Sequence, residues 1–172
     1  PDGEHNTFTY DTKGNLLTSS DPTNLTTKYT YNSKGLTERV IQPDGSRIEF
    51  RYDSKGNVTE ITDPEGNTSK FTYDQLNRVK TVVDPEGNAT TYEYTNSGKI
   101  SKVIDAEGNL ASYYYNVNGK LERLVDQEGN ITRYRYNSSD YLIEVIDPLN
   151  GSTYMEYDEM GNMVKSINAN GG

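Results

Sequence analysis

The residues best suited to chemistry in this sequence are tyrosines that recur at a fixed spacing. The tyrosine column, as we name it, occupies every twenty-first position without insertion or deletion: Tyr10, Tyr31, Tyr52, Tyr73, Tyr94, Tyr115, Tyr136 and Tyr157. Such rings can stack on sugar rings or on each other, and each carries a hydroxyl that can stay in water. A constant period of this length is typical of repeats that are stabilised by packing against their neighbours.

Carboxylates are the second group with chemical potential, and each lies in a turn pattern that already accounts for it. The group comprises Asp53, Asp63, Glu65, Asp84, Glu86, Asp105, Glu107, Asp126 and Glu128. General acid and base roles require two unlike environments, whereas a repeat makes its carboxylates alike. His5 is the only histidine, and no serine or lysine stands in a nucleophile signature. We therefore expect no catalytic residues, no enzyme activity and no cofactor.

Calcium is the alternative for these turns, because acidic Gly-Asn turns at fixed spacing could align oxygen ligands. The turns lack the alternating Asp-x-Asp-x-Asp spacing that calcium loops use. We therefore expect solvated turns and no metal site.

Composition excludes several other partners. The net charge is -9 and the pI is about 4.6, which argues against binding to nucleic acid phosphates or to anionic membranes. No run of eighteen apolar residues is present, so we expect no membrane insertion. Cysteine is absent, which excludes disulfides and thiolate metal sites.

Each repeat reads as two turns and two short strands. Between Tyr52 and Tyr73, a first turn Asp-Ser-Lys-Gly-Asn and a second turn Asp-Pro-Glu-Gly-Asn both predict a type I turn followed by a left-handed residue. Glycine suits that left-handed position. The second-turn glycines are Gly3, Gly45, Gly66, Gly87, Gly108, Gly129 and Gly171. Asparagine replaces glycine in this column at Asn24 and Asn150, and the first-turn glycine is replaced at Asn77 and Asp140.

The two strands of a repeat differ in pattern. Phe71-Thr72-Tyr73 alternates strictly, which predicts one aromatic face and one polar face. Val79 to Val83 breaks the alternation, so we expect either a bulge or burial on both faces. The sparse apolar residues indicate one covered face and one wet face.

Short turns force each strand to pair with the strands before and after it. We therefore predict an all-β fold, a continuous antiparallel meander of about sixteen short strands from eight 21-residue hairpin repeats, curled by strand twist into a spiral strip. Residues 1–172 read as a single array excised from a longer one, because the sequence begins and stops within a turn. Unpaired end strands would favour end-to-end self-association.

The motif Tyr-Asp-x-x-Gly-Asn followed by Asp-Pro-Glu-Gly-Asn-x-Thr-x-x-Tyr resembles the YD-repeat, or Rhs, family over the full chain. That family includes bacterial polymorphic toxins, insecticidal toxin complexes and teneurins. The resemblance implies a spiralling β-strip that builds a hollow shell around another domain, such as a C-terminal toxin. It also implies a secreted or cell-surface protein whose partner is the rest of its own chain.

A binding module is the alternative function. An exposed tyrosine column could hold glycans, and a long acidic sheet could bind cell-surface proteins. The competing interpretation is that the same rings hold the sheet together by cross-strand packing.

Overall fold

The computed structural model describes residues 5–168, which form sixteen strands and no helix. The strands follow chain order and are antiparallel to their neighbours, so the predicted all-β meander is confirmed. Their bounds are β1 Thr7–Tyr10, β2 Leu16–Ser20, β3 Thr26–Tyr31, β4 Thr37–Ile41, β5 Arg47–Tyr52, β6 Val58–Thr62, β7 Thr68–Tyr73, β8 Val79–Val83, β9 Ala89–Tyr94, β10 Ile100–Ile104, β11 Leu110–Tyr115, β12 Leu121–Val125, β13 Ile131–Tyr136, β14 Leu142–Ile146, β15 Ser152–Tyr157 and β16 Met163–Ile167.

The chain divides into two compact units, Pro1–Ala89 and Thr90–Gly172. The first unit contains β1 to β8 and the second contains β10 to β16 with nearly all of β9. Within each unit, strands contact only their neighbours in sequence. A single array over residues 1–172 and a spiral form of the strip stay predictions.

A β-bulge interrupts the second strand of every repeat. In β8, Val79 pairs with Tyr73 and Thr81 pairs with Thr72, so Lys80 is the extra residue. The bulge lies at the second residue of the strand, between the apolar positions, rather than at the adjacent apolar pair that ends it. Because one extra residue shifts the alternation, Val79 and Val82 come to the same face.

The two faces of the sheet follow from this register. The aromatic face carries the tyrosine column, and in β7 it holds Phe71 and Tyr73, opposite Val82 and Val79. The other face, which we name the polar face, holds alternate residues such as Thr72, opposite Thr81.

The expectation of one covered face holds in the first strands and fails in the second strands. In β7, Tyr73 on the aromatic face is half-buried, whereas Thr72 on the polar face is exposed. Among residues 5–168 no apolar side chain is fully buried. Val83, Ile104 and Val125 lie on the polar face and are nevertheless half-buried. Each half-buried apolar side chain of the strands is covered by neighbours on its own face, whereas several apolar residues in the turns are exposed.

The turns adopt the backbone conformation that their residues favour. The second-turn glycines Gly45, Gly66, Gly87, Gly108 and Gly129 have φ of 84–92°. Asn24 and Asn150, which replace glycine, also have positive φ, at 67° and 65°. Asn77 and Asp140 do the same in the first turns, at 60° and 62°. Gly3 and Gly171 lie outside the described residues.

Replacing a turn glycine tests this conformational requirement alone. A Cβ at Gly87 would meet no atom within 4 Å, so Gly87→Ala is expected to lower the free energy of unfolding by about 1–2 kcal/mol through its φ of 92°. Gly87→Asn should cost less, because asparagine holds the equivalent positions Asn24 and Asn150. Urea unfolding followed by circular dichroism measures both, and equal losses from the two variants would contradict the prediction.

Candidate functional site

The hydroxyls of the tyrosine column bind backbone carbonyls of the preceding strand. Tyr73, at the end of β7, donates to the carbonyl of Val58, the first residue of β6, at 2.7 Å. The same bond, 2.5–2.8 Å long and always fifteen residues back, joins Tyr31 to Leu16, Tyr52 to Thr37, Tyr115 to Ile100, Tyr136 to Leu121 and Tyr157 to Leu142. The sequence allows these hydroxyls to stay in water, but in the structure they bind the backbone instead.

Within each unit, rings of the column are covered by the repeat before them. Tyr10 lies on β1, which has no preceding strand among the described residues, and it is 59% exposed. The other seven tyrosines of the column, Tyr94 included, are half-buried. Burial raises the pKa of Tyr52, Tyr73, Tyr115 and Tyr136 above the ordinary value of 10.0. These hydroxyls therefore remain protonated donors at neutral pH.

Each acidic turn is closed by its own opening carboxylate. Asp105 Oδ1 accepts the backbone N–H of Glu107 at 3.0 Å and of Asn109 at 2.8 Å, while Oδ2 accepts the Asn109 side-chain amide at 2.9 Å. The backbone N–H groups of Asp105 and Gly108 bond across the same loop, to the carbonyls of Asn109 and Asp105. The predicted carboxylates at the head of each turn thus serve the turn itself.

The asparagine that closes this clamp has a role that the sequence analysis missed. It always lies four residues after the aspartate, and that constant spacing was the available signal. The pairs with a side-chain bond to Oδ2 are Asp11–Asn15, Asp53–Asn57, Asp63–Asn67, Asp84–Asn88, Asp105–Asn109, Asp126–Asn130 and Asp158–Asn162. Arginine replaces asparagine after Asp74, where Arg78 makes the bond at 2.6 Å.

The clamp lowers the pKa of these aspartates. The side-chain bond from asparagine is the largest cause at Asp63, Asp84, Asp105 and Asp126, whose pKa lies below the ordinary value of 3.8. A general acid at neutral pH needs the opposite shift. These four aspartates are therefore ionised hydrogen-bond acceptors, and one turn resembles the next.

Bonds between turns of successive repeats add to the clamp. In the second unit, the Gln127 side-chain amide donates to Asp105 Oδ2 at 2.8 Å, and that of Asn118 donates to Asp140 at 2.9 Å. In the first unit, Lys55 donates to the Asn77 side chain at 3.2 Å. Turns of one type thus lie beside each other along an edge of the sheet in each unit.

Within residues 5–168, no three side chains from His, Cys, Asp and Glu are grouped so that they could hold a metal ion. The exposed His5 lies at the start of the described region. The described part of the chain contains no helix with the length and apolar character needed to cross a membrane.

A family model described as Teneurin YD-shell matches residues 2–105, more than half of the chain. The chain therefore belongs to the teneurin YD-shell family. Membership supports a structural and non-catalytic role in a shell. A search of curated proteins found no match.

Solved structures with the same fold come from toxin complexes. One is TcdB2-TccC3-TEV, with 15% identity, a TM-score of 0.55 and 95% of this chain covered. The Photorhabdus luminescens Tc holotoxin pore has 15% identity, a TM-score of 0.56 and 95% of this chain covered. TcdB2-TccC3 without its hypervariable C-terminal region has 15% identity, a TM-score of 0.52 and 98% of this chain covered. This chain spans only 11%, 9% and 14% of those chains, respectively. At this identity the similarity shows the fold alone.

The lowered aspartate pKa values predict the dependence of stability on pH. A carboxylate whose pKa is lower in the folded state than in the unfolded state stabilises fully above the unfolded value, and that contribution is lost as pH falls through the folded value. The free energy of unfolding should therefore fall steeply below the ordinary pKa of 3.8, when the clamps become protonated. Urea titrations between pH 7 and pH 2 measure this.

The matched control is Asp84→Asn, which removes one charged clamp. This variant should be less stable at pH 7 and should lose less stability than the parent chain on acidification, since one titrating group is gone. Stability that falls mainly above pH 5, or an equal acid loss in the variant, would contradict the role of the clamps.

Proposed function

We propose that this chain is a section of shell wall, a non-enzymatic scaffold whose parent protein encloses or displays another domain such as a C-terminal toxin. The observation that carries the proposal is an uninterrupted meander of repeats in a member of the YD-shell family. The partners in this proposal are the remaining shell segments and the enclosed domain of the parent chain. A secreted or cell-surface location goes with it.

Wall building suits the way in which the sheet is stabilised. Strands of each unit contact only sequence neighbours, so adding repeats extends the sheet without changing any existing contact. The turn clamps lie within single loops, so the backbone of each turn forms its hydrogen bonds locally. Such a strip can be extended to the length that a container needs.

We further propose that the tyrosine column is a structural ladder and that the eight repeats act as one array. The half-buried rings and the hydroxyl bonds to the preceding strand support this role. A sugar-binding column would instead present free ring faces and free hydroxyls to solvent. The turn glycines belong to the same scaffold, because they allow the tight hairpins that bring successive rings together.

Replacing single column tyrosines distinguishes the ladder from a glycan site. Tyr115→Phe removes the 2.8 Å bond to the Ile100 carbonyl and should lower the free energy of unfolding by about 1 kcal/mol. Tyr10→Phe is the matched control and should change stability little, since Tyr10 is 59% exposed. Saturable glycan binding in calorimetry that vanishes in Tyr115→Phe without a loss of stability would contradict the ladder.

Single cysteines on opposite faces test the wall. Ser69 and Thr72 lie on the same strand, β7, with Ser69 opposite Ile61 on the aromatic face and Thr72 opposite Thr81 on the polar face. The chain has no cysteine of its own. In the isolated chain, Ser69→Cys and Thr72→Cys should both react with a small maleimide and with a polymer-linked maleimide.

In the intact parent protein, a wall predicts that one of the two cysteines becomes protected from the polymer-linked reagent while the other stays reactive. Reaction with the small reagent shows that protection comes from enclosure rather than from misfolding. Equal reactivity of both cysteines towards the large reagent in the parent protein would overturn the shell proposal.

A further inference from the structure

Two arginines stand directly opposite each other on the polar face of the second unit. Arg123 on β12 pairs in register with Arg133 on β13, and like charges in this position destabilise a sheet. Within residues 5–168 neither arginine lies within ion-pair distance of a carboxylate. A surface depression lies at this pair, and it is lined by both arginines and by Glu122, the extra residue at the bulge of β12. The pairing of Arg123 with Arg133 therefore lowers the stability of the sheet, and nothing in the fold itself requires it.

At two other places in the array the same positions carry opposite charges. Four repeats earlier they are Arg39 and Glu49, which pair in register and form an ion pair of 3.0 Å. In the following repeat Glu60 stands opposite Lys70. The fold thus accepts opposite charges at these two positions, and other repeats place a charged residue opposite a neutral one, as in Lys102 with Ser112.

An aromatic ring fixes one of the two guanidinium groups. Arg123 Cζ lies 3.7 Å from the centroid of the Tyr114 ring, which is directly opposite on β11 and 44% exposed. Arg135, two residues along β13 from Arg133, is neutralised by Glu144 at 2.9 Å. The positive charge left uncompensated is therefore that of Arg123 and Arg133, beside a partly exposed ring.

We propose that Arg123, Arg133 and Tyr114 form a binding site for a carboxylate-bearing, acidic segment of polypeptide. A guanidinium group presents a planar fork of donors that matches a carboxylate, and stacking on a ring holds that fork in place. Two such groups on adjacent strands can bind neighbouring carboxylates and thereby remove their own repulsion. Charge complementarity identifies the occupant, because the two guanidinium groups lie on directly opposite residues and neither has a carboxylate partner among the described residues.

Peptide titration by NMR tests the site. A peptide of alternating glutamate and glycine should shift the resonances of Arg123, Arg133 and Tyr114 saturably at constant ionic strength, whereas its glutamine counterpart should not. Inorganic phosphate and sulfate are titrated separately. If these ions shift the three residues and the glutamate peptide does not, the ligand is a phosphate or sulfate group and the proposal is wrong.

Two reciprocal variants separate binding from folding. Arg133→Glu gives the second unit the charge pattern of Arg39 and Glu49, so it should raise the melting temperature by about 2 °C at low salt and abolish the peptide-induced shifts. Glu49→Arg creates the like-charged pattern in the first unit, so it should lower the melting temperature. Because Thr30 rather than a ring lies opposite Arg39, the glutamate peptide should shift Arg39 in this variant more weakly than it shifts Arg123 in the parent chain.

Unchanged peptide binding in Arg133→Glu would overturn the proposal. So would an absence of any saturable shift in the parent chain, which folds with both arginines in place. A fall in the melting temperature of Arg133→Glu would show that Arg123 and Arg133 do not repel each other, and it would also overturn the proposal.

Discussion

The bulge in the second strand of each repeat is the constraint on which the remaining structure depends. The first strand places its aromatic residues two positions apart, whereas the second strand places its apolar residues three apart, and only an extra residue brings both sets to one face. The bulge also aligns the first residue of the second strand with two tyrosines. Val58 faces Tyr52 across the strand pair, and its carbonyl accepts the hydroxyl of Tyr73 from the next repeat. Each repeat is thereby joined both within itself and to its successor.

The turns can keep one sequence pattern because their backbone N–H groups form hydrogen bonds within the same loop. A loop such as Asp105 to Asn109 satisfies its backbone N–H groups with its own carboxylate and carbonyls. Its aspartate therefore contributes an ionised group whose partners all belong to the same loop or to the turn of the next repeat. A sheet with no buried apolar side chains in its described part depends on such local satisfaction, because it has no interior in which a missing hydrogen bond could be offset by packing.

Local features of the fold could be predicted from the sequence, and features that cross between repeats could not. Strand alternation at Phe71 to Tyr73 and the glycine columns depend on neighbours in the chain, and they predict the hairpins that the structure contains. The acceptor of a bonded hydroxyl in the tyrosine column lies fifteen residues back, and only the register of the paired strands reveals it. The position of the bulge was ambiguous for the same reason, since apolar residues three apart are compatible with a bulge or with burial on both faces. The Asp–Asn clamp was missed although its spacing is constant, because asparagine after glycine is already an ordinary turn residue.

The two faces differ in how strictly they constrain the sequence, and this difference explains how the fold persists at 15% identity to the toxin-complex structures. The aromatic face and the turns carry the requirements that every repeat must meet, which are ring spacing, a bulge and a residue that accepts positive φ. The polar face has no comparable requirement. Equivalent pairs there are Arg39 with Glu49, Glu60 with Lys70, and Arg123 with Arg133, so attraction and repulsion occur on the same backbone. Because a cross-strand pair contributes only about 0.2–1 kcal/mol, the sheet tolerates an unfavourable one. Recognition in such an array can therefore change on the polar face while the ladder on the other face keeps the strands in register.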